Sequence, residues 1–343
     1  MHRYTELTVP ENCGFGIALA IHHLQNNLLR MKNIVTLLSF MIMVAYTATA
    51  QDEAIFGHYT INPTLINPAQ TGFNEKHNIN MNMRASWAGF PNTPKTYALS
   101  YNGPVSNTLG FGALLLTETI ASTSRYRAQL SYAFRYKIER VRMSIGLSTE
   151  FHQMRLASSV TTNPLIDPRD VIINDGVNGM NGFDASLGVA GIYDESLYFG
   201  ISAPGLIRTR LDESSDPNGN NKLFQNWTLT VGNVFDVKSL KCKIDPSIVL
   251  RQIRTAPFLV DFNVKAMFLQ DKLTTGFTYR AIEGDSGAVA FLIGTKLNSL
   301  GLYYSFDVSF QKFQNYNSGS HELTINFLLD RAKQTKNVKK KKR

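Results

Sequence analysis

Residues 124–137 read Ser124-Arg125-Tyr126-Arg127-Ala128-Gln129-Leu130-Ser131-Tyr132-Ala133-Phe134-Arg135-Tyr136-Lys137. Tyr126, Ala128, Leu130, Tyr132, Phe134 and Tyr136 recur at every second position, and Arg125, Arg127, Gln129, Ser131, Arg135 and Lys137 fill the places between. A period of two belongs to a β-strand, whose successive side chains point to opposite faces. The run is more than twice the average strand of about 5–6 residues. Two architectures use such a ribbon: a soluble sandwich that buries the apolar face between sheets, and a transmembrane barrel that turns it to lipid around a polar lumen.

The same alternation recurs on both sides of this stretch. In 140–152, Val141, Met143, Ile145, Leu147 and Phe151 oppose Arg140, Arg142, Ser144, Ser148, Glu150 and His152. Ile79, Met81, Met83, Ala85 and Trp87 oppose Asn78, Asn80, Asn82, Arg84 and Ser86. Leu323, Ile325, Phe327 and Leu329 oppose Glu322, Thr324 and Asn326. About fourteen such segments are expected, near 77–88, 94–103, 108–120, 124–137, 140–152, 183–193, 196–204, 223–235, 239–252, 257–269, 272–282, 286–296, 301–310 and 320–329. Many reach the roughly 9–11 residues that a tilted membrane-spanning strand needs. Tyr and Phe crowd the segment ends, as interface girdles do. The charges of the polar faces, Arg125, Arg127, Arg135 and Glu150 among them, suit a lumen.

The connections agree. With the first strand leaving the periplasm, the long connections 153–182, 205–222 and 311–319 all lie outside the cell. Those at 138–139, 194–195, 236–238, 270–271 and 297–300 are short and periplasmic, the usual asymmetry of outer-membrane barrels. The fold class is therefore all-β, a transmembrane antiparallel β-barrel of about 14 strands and outer-membrane type, spanning 77–330. Both barrel termini are expected in the periplasm. Closure removes the sheet edges that lipid would not tolerate.

Composition supports this. Of the 343 residues, 43 % are hydrophobic, 18 % charged and 11 % aromatic, too apolar for disorder. The net charge of +9 suggests nucleic acid, but its distribution argues against that partner. Of 35 basic and 26 acidic residues, the tail 331–343 holds eight basic and no acidic ones, and the first fifty residues hold three and two. That leaves 24 of each sign in 51–330, so the body is neutral and no nucleic-acid partner is expected.

Met31-Lys32 opens a charged region, Ile34 to Tyr46 is apolar, and Ala48-Thr49-Ala50 fits a signal-peptide cleavage site with Gln51 as the new N-terminus. Residues 31–50 are expected to be a cleaved signal peptide and 1–30 an over-extended N-terminus, with translation starting at Met31. Cys242 is then the lone cysteine of the mature chain.

Residues 51–76 carry the most specific pattern: Tyr59-Thr60-Ile61-Asn62-Pro63-Thr64-Leu65-Ile66-Asn67-Pro68-Ala69-Gln70-Thr71-Gly72. Two Asn-Pro pairs stand five residues apart. Asn67 is placed to cap a short helical turn that starts at Pro68 and closes at Gly72. The apolar Tyr59, Ile61, Leu65 and Ile66 indicate a packed segment, a plug within the barrel or a cap beneath it.

These residues resemble the PorP/SprF family of type IX secretion system outer-membrane proteins from Bacteroidetes. The resemblance rests on Gln51-Asp52, Tyr59, Asn62, Pro63, Ile66, Asn67, Pro68, Ala69 and Gly72, then on Arg84, Trp87, Gly89, Pro94 and Thr96, with Ser100 and Leu109-Gly110-Phe111-Gly112 beyond. Gln70-Thr71 departs from the family's commoner Tyr-Ala. The resemblance implies a non-enzymatic role in the export or surface display of adhesins and other cargo, linked in some species to gliding. It implies as partners the periplasmic ring proteins of the machine and cargo with a C-terminal sorting domain. The rival reading is a porin or FadL-like solute channel.

No catalytic, cofactor-binding or metal-binding residues are assigned, and no small-molecule substrate. His58, His77, His152 and His321 lack metal-ligand spacing, and no G-x-S-x-G elbow occurs. Asp167, Asp170, Asp175 and Asp184, with Asn163, Asn174, Asn178 and Asn181, offer oxygen ligands for calcium or make a solvated loop. The basic tail Arg331–Arg343 reads as a solvated tail, a dock for an acidic periplasmic partner or a contact with lipid.

Overall fold

The computed structural model describes residues 56–330 except 162–166, 168, 169, 208, 211–224, 254 and 255. The leader, the expected signal peptide, Gln51-Asp52, Asn163 and the basic tail lie outside the described residues.

Fourteen strands close an antiparallel barrel. They are β1 (His77–Ala85), β2 (Lys95–Pro104), β3 (Leu109–Ile120), β4 (Thr123–Ile138), β5 (Val141–Leu156), β6 (Met180–Tyr193), β7 (Leu197–Ala203), β9 (Asn226–Asn233), β11 (Cys242–Ile253), β12 (Leu259–Phe268), β13 (Leu273–Ile282), β14 (Ala288–Leu297), β15 (Leu300–Ser309) and β16 (Ser320–Leu329). Two short pieces complete the ladders, β8 (Thr209–Arg210) beside β6 and β10 (Phe235–Val237) beside β11. Each strand pairs with its sequence neighbour, and β16 returns to β1 with His77 opposite Leu329 and Ala85 opposite His321. The ring leaves no strand edge exposed to hydrocarbon.

The alternation sorts side chains as a membrane barrel requires. Ile79, Met81, Leu99, Leu115, Leu130 and Phe134 are exposed on the outer face. Asn78, Asn80, Asn82, Ser100, Ser144 and Ser148 are buried on the inner one. Cross-strand aromatic pairs tie the outer face together, such as Phe277 with Phe291 at 5.4 Å between ring centroids. An apolar band of this extent on a water-facing sheet would be a large uncovered patch, whereas in lipid it is the solvated face.

Short turns at 105–108, 139–140, 194–196, 238–241, 269–272 and 298–299 gather at one end, together with the start of β1 and the end of β16. Asp194 and Glu195 both take left-handed backbone, and Ser196 N–H closes the turn on Tyr193 O at 3.1 Å. The opposite end carries the longer connections.

Several strand boundaries differ from the sequence expectation, two of them instructively. Trp87 is not on the first strand's outer row: β1 stops at Ala85 and Trp87 sits in a turn at φ 52°. There the backbone leaves β2 and bonds to the next loop, Ala88 N–H to Gly319 O (2.8 Å) and Ser318 N–H to Ala88 O. The connection expected at 153–182 is narrowed to 157–179, because β4 and β5 each run 16 residues. At about 3.3 Å per residue such a hairpin outreaches a hydrocarbon core of roughly 30 Å even when tilted. Among the described residues of the connection lies an α-helix, α1 (Val171–Asn178), whose N-cap Asp170 accepts from Ile172 N–H at 2.9 Å and from Ile173 N–H at 3.3 Å. Asp184 accepts from Ala185 N–H and Ile207 N–H. Among the described residues no group of three His, Cys, Asp or Glu is placed to hold a metal ion.

Candidate functional site: the luminal Asn-Pro segment

The segment before β1 folds as three 3₁₀ turns, His58–Thr60, Pro63–Leu65 and Pro68–Gln70. Each Asn-Pro pair starts one. Proline presets the backbone of the first helical position and has no N–H to leave unpaired. Asn67 caps the third turn as the sequence indicates, its Oδ1 accepting from Ala69 N–H at 2.9 Å. Asn62 does not cap. Its Oδ1 accepts from the Thr64 hydroxyl at 2.6 Å, and its Nδ2 donates to Ser100 Oγ on β2 at 3.0 Å. The second turn therefore spends its Asn side chain on the barrel wall.

These contacts cross the lumen. On one side, the Glu322 carboxylate of β16 accepts from Gly57 N–H (2.7 Å) and His58 N–H (3.0 Å). His58 Nδ1 lies 2.7 Å from Thr324 Oγ1. The Tyr59 hydroxyl donates to Asp261 Oδ2 on β12 at 2.7 Å, and Lys265 donates to Thr60 O at 3.1 Å. On the far side, Asn67 Nδ2 donates to Val189 O (3.0 Å) and Ile201 O (3.4 Å), and Ser202 Oγ donates to Ile66 O at 2.6 Å. Ala69 is fully buried against β5, where a side chain on Gly146 would overlap the Pro68-Ala69 peptide. A side chain on Gly188 would strike the Asn67 amide oxygen. At the short-turn end, Gly72 takes φ 64° over Gly103 and Gly110, and its carbonyl accepts from Arg135. Phe73 lies 5.0 Å beneath the Arg142 guanidinium.

A buried ionic network backs the segment. Arg84 bridges Glu322 (3.0 Å) and Asp307 (2.8 Å), Arg280 holds Asp261 at 2.7 Å, and Lys265 holds Asp245 at 3.0 Å. Such charges survive removal from water only because each is paired. Burial holds the His58 imidazole below its ordinary value of 6.5, against the pull of Glu322, so it is neutral at neutral pH. Burial and the Asp261 carboxylate push the Tyr59 phenol up. A neutral imidazole and a protonated phenol leave the three carboxylates Glu322, Asp307 and Asp261 to be balanced by Arg84, Arg280 and the nearby Arg251.

The residues singled out from the sequence thus divide. Tyr59, Asn62, Pro63, Ile66, Asn67, Pro68, Ala69 and Gly72 form the luminal segment, and Arg84 joins it through Glu322. Trp87, Gly89 and Pro94 lie in the β1–β2 turn at the long-loop end, with Ser86 N–H bonded to Pro94 O at 2.9 Å. Thr96, buried on β2, donates to Glu118 of β3 at 3.4 Å. Sequence reasoning did not single out Glu322, Asp261, Arg280, Arg135 or the glycines of the far wall as site residues. Their signal was present: charges at inward-facing strand positions, and Gly146 and Gly188 within strands, where glycine marks close backbone approach.

Comparison with curated proteins returns no match. Among solved structures the chain is similar to the CymD monoaromatic hydrocarbon channel, at 12 % identity and TM-score 0.48, over 82 % of this chain and 95 % of that one. It is similar to the Ralstonia pickettii toluene transporter TbuX at 10 % identity and TM-score 0.46, over 83 % and 96 %. It is also similar to the Acinetobacter baumannii outer membrane protein Omp33 at 8 % identity and TM-score 0.44, over 76 % and 100 %. The family model described as type IX secretion system membrane protein PorP/SprF matches residues 48–327. That match takes in the luminal segment and nearly all of the barrel, and the chain belongs to the PorP/SprF family.

Proposed function

We propose that this outer-membrane barrel is a non-enzymatic component of type IX secretion that supports export or surface anchoring of cargo through protein–protein contacts, with its lumen closed by the Asn-Pro segment. The observation that carries the reading is the segment itself, inside a chain of this family. It is hydrogen-bonded to opposite walls at once, from Glu322 on β16 to Ser202 on β7. A porin needs a free aqueous path, and a segment bonded to both walls speaks against one.

In this reading the signal peptide is removed after Ala50, and the short-turn end faces the periplasm with both barrel termini. The periplasmic ring proteins of the machine meet that end, and cargo with a C-terminal sorting domain meets the complex. The motif residues then serve two ends: Tyr59 to Gly72 with Arg84 fix the segment, and Trp87, Gly89 and Pro94 shape the outer turn. Deletion of the gene, with quantitative proteomics of medium and cell surface, tests the proposal. Selective loss of proteins bearing C-terminal sorting domains, restored by the gene, is the expected result. An exoproteome unchanged in a strain lacking every paralogous barrel would overturn it.

A further inference from the structure

The outer face of the barrel holds an apolar groove of about 560 Å³ on β2 to β5. One register row explains it. Leu99, Leu115, Ala128 and Phe151 stand side by side on these four strands. Ala128 is the small residue among them, so the wall dips between Leu115 and Phe151. Tyr97 and Tyr126 line the groove on its long-loop side. Hydrocarbon has to fill such a dip, because a void forfeits the dispersion contacts of its lining.

Beyond the tyrosines the next outward row reads Lys95, Thr119, Ser124 and Arg155. It lies about 7 Å further along the strands, and its two cations stand three strands, about 14 Å, apart. Lys95 and Arg155 are exposed, and neither makes an ion pair among the described residues. The carboxylates of this stretch, Glu118 and Glu150, are on the inner face beside Arg125 and Arg127. Across the barrel, on β12 to β15, the outward positions near the same end are Val260, Ala281, Val289 and Val308, which carry no charge. The cations therefore stand over the groove and not all round the rim.

Apolar groove, tyrosine belt, then cations and hydroxyls: along the wall this order matches a lipid from acyl chain to head group. Lysine and arginine are the side chains that meet phosphate. The Thr119 and Ser124 hydroxyls between them suit a broad head group that is itself rich in hydroxyls. We infer that this wall binds a phosphorylated glycolipid from the leaflet at the long-loop end. One acyl chain lies over Ala128, and phosphate meets Lys95 and Arg155. The site needs neither cargo nor secretion partners, and its failure would leave the secretion reading untouched.

Native mass spectrometry of the full-length protein in detergent, titrated with diphosphoryl lipid A, tests this. The barrel should retain one lipid A and saturate. Affinity should fall about tenfold when Lys95→Gln and Arg155→Gln are combined, and about threefold in Ala128→Phe, which fills the groove. It should persist in Lys95→Arg, which keeps the charge. Heat-modifiable migration reports whether each variant folds. Two further probes decide on the wild type alone: lipid A stripped of both phosphates, and phosphatidylglycerol, each expected to bind about tenfold more weakly. Equal binding of either probe would overturn the inference. So would a double variant that binds like the wild type, or a barrel dimer that excludes the lipid.

Discussion

The two walls that grip the luminal segment do so by different physics. On β5, β6 and β7 the wall is glycine and carbonyl: Gly146 and Gly188 let backbone lie on backbone, and Val189 and Ile201 offer carbonyls to Asn67. Across the lumen, on β12 and β16, the wall is charge: Asp261, held by Arg280, and Glu322, held by Arg84, reach in to hydroxyl and N–H donors. The first wall reads shape, and any added atom blocks it. The second reads charge, and any lost partner leaves an ion stranded where water is scarce. A segment held in both ways is fixed in register as well as in place.

Glu322→Ala is the severest way to break the charged wall. It strands part of Arg84 and frees the Gly57 and His58 N–H groups, at an expected cost of about 3–5 kcal/mol. Urea unfolding of the detergent-folded protein measures it, and a cost below about 1 kcal/mol would mean that Glu322 does not hold the segment. Gly146→Ala attacks the shape wall and is expected to cost about 1–3 kcal/mol by overpacking. In a chain lacking 56–72 the same substitution should cost nothing, and an equal cost there would place the clash elsewhere than against Pro68-Ala69.

The smallest effect is pH-dependent. Folding holds His58 below its ordinary 6.5, so the unfolded chain binds the proton more readily. The stability this gives is whole above pH 6.5 and falls as the pH drops below it. Thermal midpoints at pH 7.5 and 5.5 should therefore differ more for the wild type than for His58→Asn. Equal differences would remove His58 from the latch.

The barrel was readable because lipid outside and water inside impose the same period of two on every strand, as at Tyr126 to Tyr136. The Asn-Pro pairs also announced turns, and Asn67 behaves as its position indicates. The site was only half readable. Glu322 and Thr324 look like any polar lumen residues until the closure of β16 on β1 brings them to His58, more than 260 positions away in the chain. Trp87 misled, since its place in the alternation was right and only the hydrogen bonds of the 317–319 loop draw it off the strand.

Ion conductance in planar bilayers decides whether the lumen is closed. The full-length protein should insert without a steady open-pore current, and the chain lacking residues 56–72 should conduct. Equal conductance of the two would contradict the account, because the Asn-Pro segment would then not be what fills the barrel.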